Sequence, residues 1–262
     1  MAANTAAARL TEAHRLAQAR LGARTVSQML AVWPLLDIDA LDDSFPRWLR
    51  ASIPIIQGNR RASAQLAANY YATFRNVTLG LDAGTFAPPL AGPAPVDAVT
   101  GALVITGPAA IKKAILRGVP VTQAEAVAQT ESARAAMYHS LQGGRDTIAE
   151  AVAADPQAVG YARAASGDAC AFCAMLASRG PVYSEDTVDF EAHPGCHCEP
   201  EPQFSRNDPW PAGSRDYQRL WNDSQRDLPK KDRGLNAFRR HIATERAPAP
   251  DPVGPPSPAP GG

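Results

Sequence analysis

Apolar residues recur at three- and four-residue steps through most of the first 155 positions, a helical period. Residues 5–33 carry Leu10, Ala13, Ala17 and Leu21 on one stripe, continued by Leu30 and Trp33. Arg9, Arg15, Arg20 and Arg24 fall mostly off that stripe and read as a solvated face. Pro34 ends or kinks the segment. A second helical stretch covers 44–78, with Ser44 as a cap and Pro46 in the first turn. Its apolar sets are Leu49, Ile53, Ile56 and then Leu66, Tyr70, Phe74, Val77, and Pro54 and Gly58 between them predict a kink or two shorter helices. The two stretches form an antiparallel pair whose thin core calls for more of the chain or a partner.

Residues 81–98 are rich in Pro and Gly and read as a linker or loop. Order returns over 99–117, with Ile111, Ile115 and Leu116 near a helix end and Gly118 as its stop. Thr122-x-x-Glu125 has the form of a capping box and opens a helix with Ala126, Ala133, Met137 and Leu141 on one face. Gly143-Gly144 is expected to break it, with a restart at Asp146 or Thr147 and an end at Asp155-Pro156. Met137 and Tyr138 read as packing residues, and His139 as an isolated one.

The period then changes. Residues 159–163 predict a short strand leading into a Ser166-Gly167-Asp168 turn, and Val182-Tyr183 another strand. Over 205–245, Tyr217, Leu220, Trp221, Leu235, Phe238 and Ile242 give amphipathic helical spacing. Residues 246–262, rich in Pro, Gly and Ala, are expected to be disordered. The fold class is therefore mainly α, with a small α+β C-terminal domain. Its layout is an N-terminal helical region over 1–80, the 81–98 linker, a core over 99–204 with a compact zinc-knuckle-like region, C-terminal helices over 205–245, and a tail.

Composition narrows the function classes. Formal net charge is zero over 262 residues, which points neither to a nucleic-acid binder nor to a binder of acidic substrates. The 206–245 segment has nine Lys/Arg against six Asp/Glu, a bias mild enough for a solvated face. No apolar run is expected to approach the ~18–20 residues needed to span a bilayer, and the N-terminus lacks the apolar centre of a signal peptide. A cytoplasm-like compartment is expected, where clustered cysteines are metal ligands more often than disulfides.

All four cysteines, and two of the five histidines, lie between Tyr161 and Phe204. The pattern is Cys170-x2-Cys173, nineteen residues, then His193-x2-Cys196-His197-Cys198. A Cys-x2-Cys knuckle delivers two thiolates from one tight turn, and a tetrahedral Zn2+ needs two more N or S ligands. Pro194-Gly195 turns His193 back toward Cys196. If 196–198 is extended, Cys196 and Cys198 share one side and His197 takes the other. The candidate ligands are thus Cys170, Cys173, His193, Cys196 and Cys198. Two sets stay open: His193 with one of Cys196 and Cys198, or both cysteines without the histidine. The acidic run Glu185, Asp186, Asp189, Glu191 reads as solvated loop, because thiolate and imidazole out-compete carboxylate for zinc. The zinc deaminases place His-x-Glu before Pro-Cys-x-x-Cys, an order this chain lacks, so a closed structural site is favoured over a catalytic one. No phosphate loop, Gly-x-Ser-x-Gly or His-Glu-x-x-His is present.

The segment YARAASGDACAFCAMLASRGPVY followed by HPGCHCEPEP resembles the MuF-like minor head, or head-morphogenesis, proteins of tailed bacteriophages, in the variety common among actinobacterial phages and prophages. The matching features are the Arg163 strand and Ser-Gly turn, Cys170-x2-Cys173, the Ser178-Arg179-Gly180-Pro181 turn and His193-x2-Cys196-x-Cys198. The close match covers about residues 159–204. The resemblance implies a structural virion protein without enzymatic activity, in the capsid interior near the portal, with the host cytoplasm as its site of assembly. It implies the portal protein and major capsid protein as partners, contact with packaged DNA during ejection, and no membrane. The alternative is a zinc-dependent enzyme or nucleic-acid-binding module built on the same cluster.

Overall fold

The computed structural model describes residues 2–80, 84–181, 190 and 192–246. The expected Val182-Tyr183 strand, the run Glu185, Asp186, Asp189, Glu191, and the tail beyond Arg246 lie outside them. The chain is mainly helical, with a helical N-terminal half, one two-stranded sheet and the Cys/His cluster near the sheet.

Three long helices form the frame: α1 (Ala2–Val32), α2 (Leu41–Leu79) and α5 (Val121–Ala154). Two short 3-10 turns over 33–40 reverse the chain between α1 and α2, so the pair is antiparallel as the sequence predicts. Side chains link them at matching heights: Tyr70 with Thr11, Ser63 with Gln18, Asn59 with Gln28. The buried face of α1 differs from the expected stripe. It runs Thr11, His14, Gln18, Leu21, Thr25, Met29, Trp33, while Ala13 and Leu30 are exposed. Thr11, Gln18 and Thr25 are accommodated in the interior because each finds a hydrogen-bond partner there, and His14 stacks on Tyr70. Gln18 and Ser63 exchange two hydrogen bonds, and Ser63 also accepts from the Gly144 N–H at 2.9 Å. Arg9, Arg20 and Arg24 are exposed, as a solvated face requires.

α2 is one helix, not two. Pro46 and Pro54 both sit on its exposed side, where water can satisfy the carbonyls they leave without a donor. Ser44 is not its cap: the helix starts at Leu41, and the Ser44 hydroxyl accepts the Asp37 N–H. Nor does Gly143-Gly144 break α5. Gly144 meets Ser63 and Gln18 directly, and a methyl group at Gly143 would collide with the Arg60 carbonyl oxygen. The glycines are the points of closest approach between α5 and its neighbours, and that packing offsets their weak helix propensity. The Thr122–Glu125 capping box does not form either. Pro120 precedes the helix, and Glu125 instead accepts from the Trp33 indole at 3.2 Å. Ala126, one turn on, is exposed; the buried face runs through Ala124, Ala128, Ala133, Ala136 and Leu141.

The Pro-rich segment before α3 (Val96–Thr106) is pinned to the bundle. Extended backbone with few N–H groups cannot pair with itself, so side chains of α2 and α5 satisfy it. Gln57 and Ala94 exchange two hydrogen bonds, Arg60 donates to the Gly92 carbonyl at 2.7 Å, and the Ala91 N–H reaches Thr147. The expected order over 99–117 is two helices, α3 and α4 (Pro108–Leu116), separated at Gly107, which packs against Trp48. By length and composition alone, Val96–Leu116 could cross a membrane, contrary to the expectation of no such run. Its regular helix is interrupted at Gly107, and Val99, Leu103 and Ile111 are buried against the bundle core with Trp33, Trp48 and Ile56.

The C-terminal portion lies on the far end of the same frame. β1 (Gly160–Ala164) pairs antiparallel with β2 (Glu199–Gln203), Gly160 opposite Gln203 and Ala164 opposite Glu199. β1 falls where the sequence predicts it. β2 reads EPEPQ and carries no apolar alternation, yet every residue in it is buried. A strand with a single neighbour leaves alternate N–H groups outside the ladder, so Pro200 and Pro202 are tolerated. α6 (Ala171–Ala177), α7 (Ser214–Gln225) and α8 (Leu235–Glu245) complete this part. Its core joins Tyr71, Phe74 and Ile148 of the long helices to Tyr161, Phe190, Phe204 and Phe238.

Candidate metal centre

The knuckle is built by a short helix. Cys170 is the N-cap of α6, and its sulfur accepts the Cys173 N–H at 3.4 Å. The turn before it is held from outside: Tyr217 of α7 donates to the Ser166 carbonyl, and Arg246 donates to the carbonyls of Ala169 and Gly167. On the other side, the Cys196 N–H closes a turn onto the His193 carbonyl at 2.9 Å, across Pro194-Gly195. Gly195 has φ +85°, a conformation that L side chains rarely adopt, which is why this reversal contains glycine. The Cys196 sulfur in turn accepts the Cys198 N–H at 3.4 Å.

These turns bring both motifs to one place. Cys170 Sγ lies 3.0 Å and Cys173 Sγ 3.5 Å from His193 Nε2, and Cys173 Sγ lies 3.3 Å from Cys196 Sγ. Two overlapping trios result, Cys170/Cys173/His193 and Cys173/Cys196/Cys198, each with its donor atoms within 4.8 Å of one another. Cys173 belongs to both. All four cysteines are free thiols. Cys196 and Cys198 are buried while His197 between them is exposed, as an extended 196–198 requires. Donors at bond lengths of about 2.3 Å (S) and 2.0 Å (N) around a tetrahedral ion stand roughly 3.5–3.8 Å apart, so this spacing fits a metal ion.

The electrostatics favour the same reading. Burial raises the Cys170 thiol, but the Cys173 N–H and His193 outweigh it and hold Cys170 below the ordinary value. Cys196 is held far below it by hydrogen bonds from Cys173 and Cys198, helped by the Arg145 charge. Cys173 is pushed far up by those same contacts with Cys196 and Cys198 and by burial. Its hydrogen bond lowers Cys198, yet Cys196 and burial push that thiol up to about 12. Four sulfurs this close oppose carrying charge together, so some of the thiols are lowered and others raised. A divalent ion would remove that obstacle and draw the remaining protons off. Burial lowers the His193 imidazole, but the Pro194 carbonyl and Cys170 outweigh it and raise it. Nδ1 faces the Pro194 carbonyl at 3.0 Å and Nε2 faces the sulfurs. With Nδ1–H donating to that carbonyl, Nε2 is left as the ligating nitrogen.

Sequence reasoning missed the residue that ties this centre to the bundle. Arg145 of α5 is fully buried and donates to the Cys196 carbonyl at 2.8 Å and the Cys198 carbonyl at 3.2 Å. It also lies over the Phe190 ring, which Arg163 covers at 3.8 Å. The one signal was its place directly after Gly143-Gly144, where the helix is closest to its neighbours. Glu199, next to Cys198 and in the catalytic alternative a carboxylate beside an open coordination position, turns instead toward the bundle. It is buried 3.8 Å from Arg145 and 3.9 Å from His14, and burial pushes its carboxyl up to about 7. Burial also lowers His14, to about 3, so the His14–Glu199 approach is not an ion pair near neutral pH.

Residues 1–224 match the model of a family described as VG15 protein. Comparisons with curated proteins and with solved structures returned no match. With the match running from the start of α1 through nearly all of α7, and so across the whole bundle and the Cys/His cluster, the chain belongs to the VG15 protein family and is phage-related.

Proposed function

We propose that this chain is a MuF-like minor head protein of a tailed phage, a structural component without enzymatic activity whose C-terminal part is held by one Zn2+. The observation that carries the metal half is the convergence of five N and S donors from two sequence motifs, with Cys173 common to both trios. The proposed ligands are drawn from Cys170, Cys173, His193, Cys196 and Cys198. Closing the ion among them would staple the 170–198 segment onto α5 through Arg145. Thiolate and imidazole donors suit zinc, and a shell filled by protein leaves no position for a substrate.

Family membership and a phage-related origin support the virion half. In this reading the protein sits in the capsid interior near the portal, with the portal protein and major capsid protein as partners, and contacts packaged DNA. Exposed apolar side chains near the C-terminal ends of α3 and α4 suit protein contact: Ile105 is 70% and Leu116 87% exposed, with Val104 and Ile115 beside them in sequence. The test is location. Cross-linking and mass spectrometry of purified particles should recover this chain in low copy, joined to the portal protein. A chain that is expressed during infection but never found in particles would overturn the virion reading.

A further inference from the structure

A second site lies at the C-terminal end of β2, where the start of α1, the end of α2 and the 208–212 turn meet. It is a partly enclosed cavity of about 160 Å³. Its walls are apolar: Ala7, Ala8, Phe74, Pro202 and Trp210. Its polar residues bring several acceptors. Glu201 and Asp208 bring carboxylates, and Gln203 brings an amide oxygen. No Lys, Arg or His lines it.

Gln203 is the informative residue. It is 2% exposed, and its Oε1 has no hydrogen-bond partner among the described residues. The Thr78 hydroxyl, also in the wall, is likewise buried without one. A buried acceptor left unmade is costly, so an unpaired amide oxygen on a residue that lines a cavity invites a donor from outside. The walls are fixed before any ligand arrives. Trp210 is wedged against Gly180, where a Cβ would overlap the indole, and Arg215 stacks on its ring at 3.7 Å without lining the cavity. Asp208 is held by accepting the N–H groups of Phe204 and Ser205.

From these observations we propose that the cavity is a socket for a lysine-type side chain of a partner protein, its alkyl stem against Phe74 and Trp210 and its ammonium among Gln203, Glu201 and Asp208. Three features decide the occupant. The volume is near the ~150 Å³ known to hold a benzene-sized group, enough for a four-carbon stem. An ammonium offers three donors and no acceptor, which complements the carboxylates of Glu201 and Asp208 and the amide oxygen of Gln203. Asp208, joined by Glu201 once pH rises above about 7, gives the cavity the opposite charge, and no Lys, Arg or His is among its lining residues. The socket does not depend on the virion reading or on the metal.

The test is titration of the full-length protein with the peptide acetyl-Gly-Lys-Gly-amide, followed by two-dimensional NMR. The neutral comparison is the same peptide with norleucine, which keeps the stem and lacks the charge. The lysine peptide should shift Ala7, Ala8, Gln203 and the Trp210 indole saturably, and the norleucine peptide should bind at least tenfold more weakly. At pH 8, where the Glu201 carboxyl is ionised, Glu201→Gln should weaken the lysine peptide roughly tenfold, the scale of a lost charge-assisted hydrogen bond. Ala8→Phe, a change at an exposed wall residue, should abolish binding even if Glu201→Gln fails to fold. Equal binding of both peptides would reduce the cavity to an apolar pocket and overturn the proposal. So would the absence of shifts at these residues, or lysine-peptide binding that Ala8→Phe leaves intact.

Discussion

Thr11 donates its hydroxyl proton to Glu201 Oε2 at 2.6 Å, joining residues 190 positions apart. Tyr70 lies 2.9 Å from the same Thr11 oxygen and stacks on His14. One buried contact thus binds the first helix, the second helix and the strand that follows the cysteine cluster. The N-terminal helices are part of the platform on which the centre is built.

Glu201 gives this contact a pH signature. Burial pushes its carboxyl up to about 7, outweighing the Thr11 hydrogen bond. Folding therefore favours its protonated form. The contribution is full below about pH 4.5 and is lost as pH rises through 7. Glutamine stays neutral, so Glu201→Gln should gain on the wild type by about 2–3 kcal/mol between pH 5 and pH 8. Urea denaturation of both proteins at the two pH values measures it. A constant difference would refute the buried-carboxyl account.

Gly143→Ala should destabilise the fold by about 1–3 kcal/mol, because its methyl group meets the Arg60 backbone. Gly58→Ala, also in a helix but facing open space, should stabilise by about 0.5–1 kcal/mol. Opposite signs in thermal melts would establish that the glycine pair in α5 serves close packing.

That pair also illustrates what a sequence does and does not disclose. Knuckle spacing is a local property, and so is strand alternation. Cys170, Cys173, His193, Cys196 and Cys198 were legible as donors for that reason, and His197 as facing away. So were the α1–α2 hairpin and β1. The continuity of α5 was not, because Gly143 and Gly144 are explained by Arg60, Ser63 and Gln18 on other helices. β2 was hidden for a related reason: its glutamates are buried by contacts with α1 and α5 that no local pattern encodes. Arg145 looked like any helix-surface arginine.

Replacing Arg145 with Met keeps the stem and removes the two bonds to the Cys196 and Cys198 carbonyls. Such outer-shell supports typically carry 10–100-fold in metal affinity. Arg145→Met should weaken zinc by that order in a chelator competition while far-UV circular dichroism stays helical. Unchanged affinity would mean the arginine only fills space.

Ligand substitutions should rank by position. Cys173→Ser removes the sulfur shared by both trios and should lose the metal and the near-UV signature of the C-terminal part. His197→Ala should change neither, since that side chain is exposed. His193→Ala separates the two open ligand sets: retained stoichiometry selects the four cysteines, and loss selects the histidine.

The central claim is a structural ion shared by the two motifs, and metal content tests it most directly. Elemental analysis of the purified chain, paired with the Cys173→Ser variant, should give about one zinc per wild-type chain and none in the variant. Fully folded wild-type protein without bound metal would contradict the account.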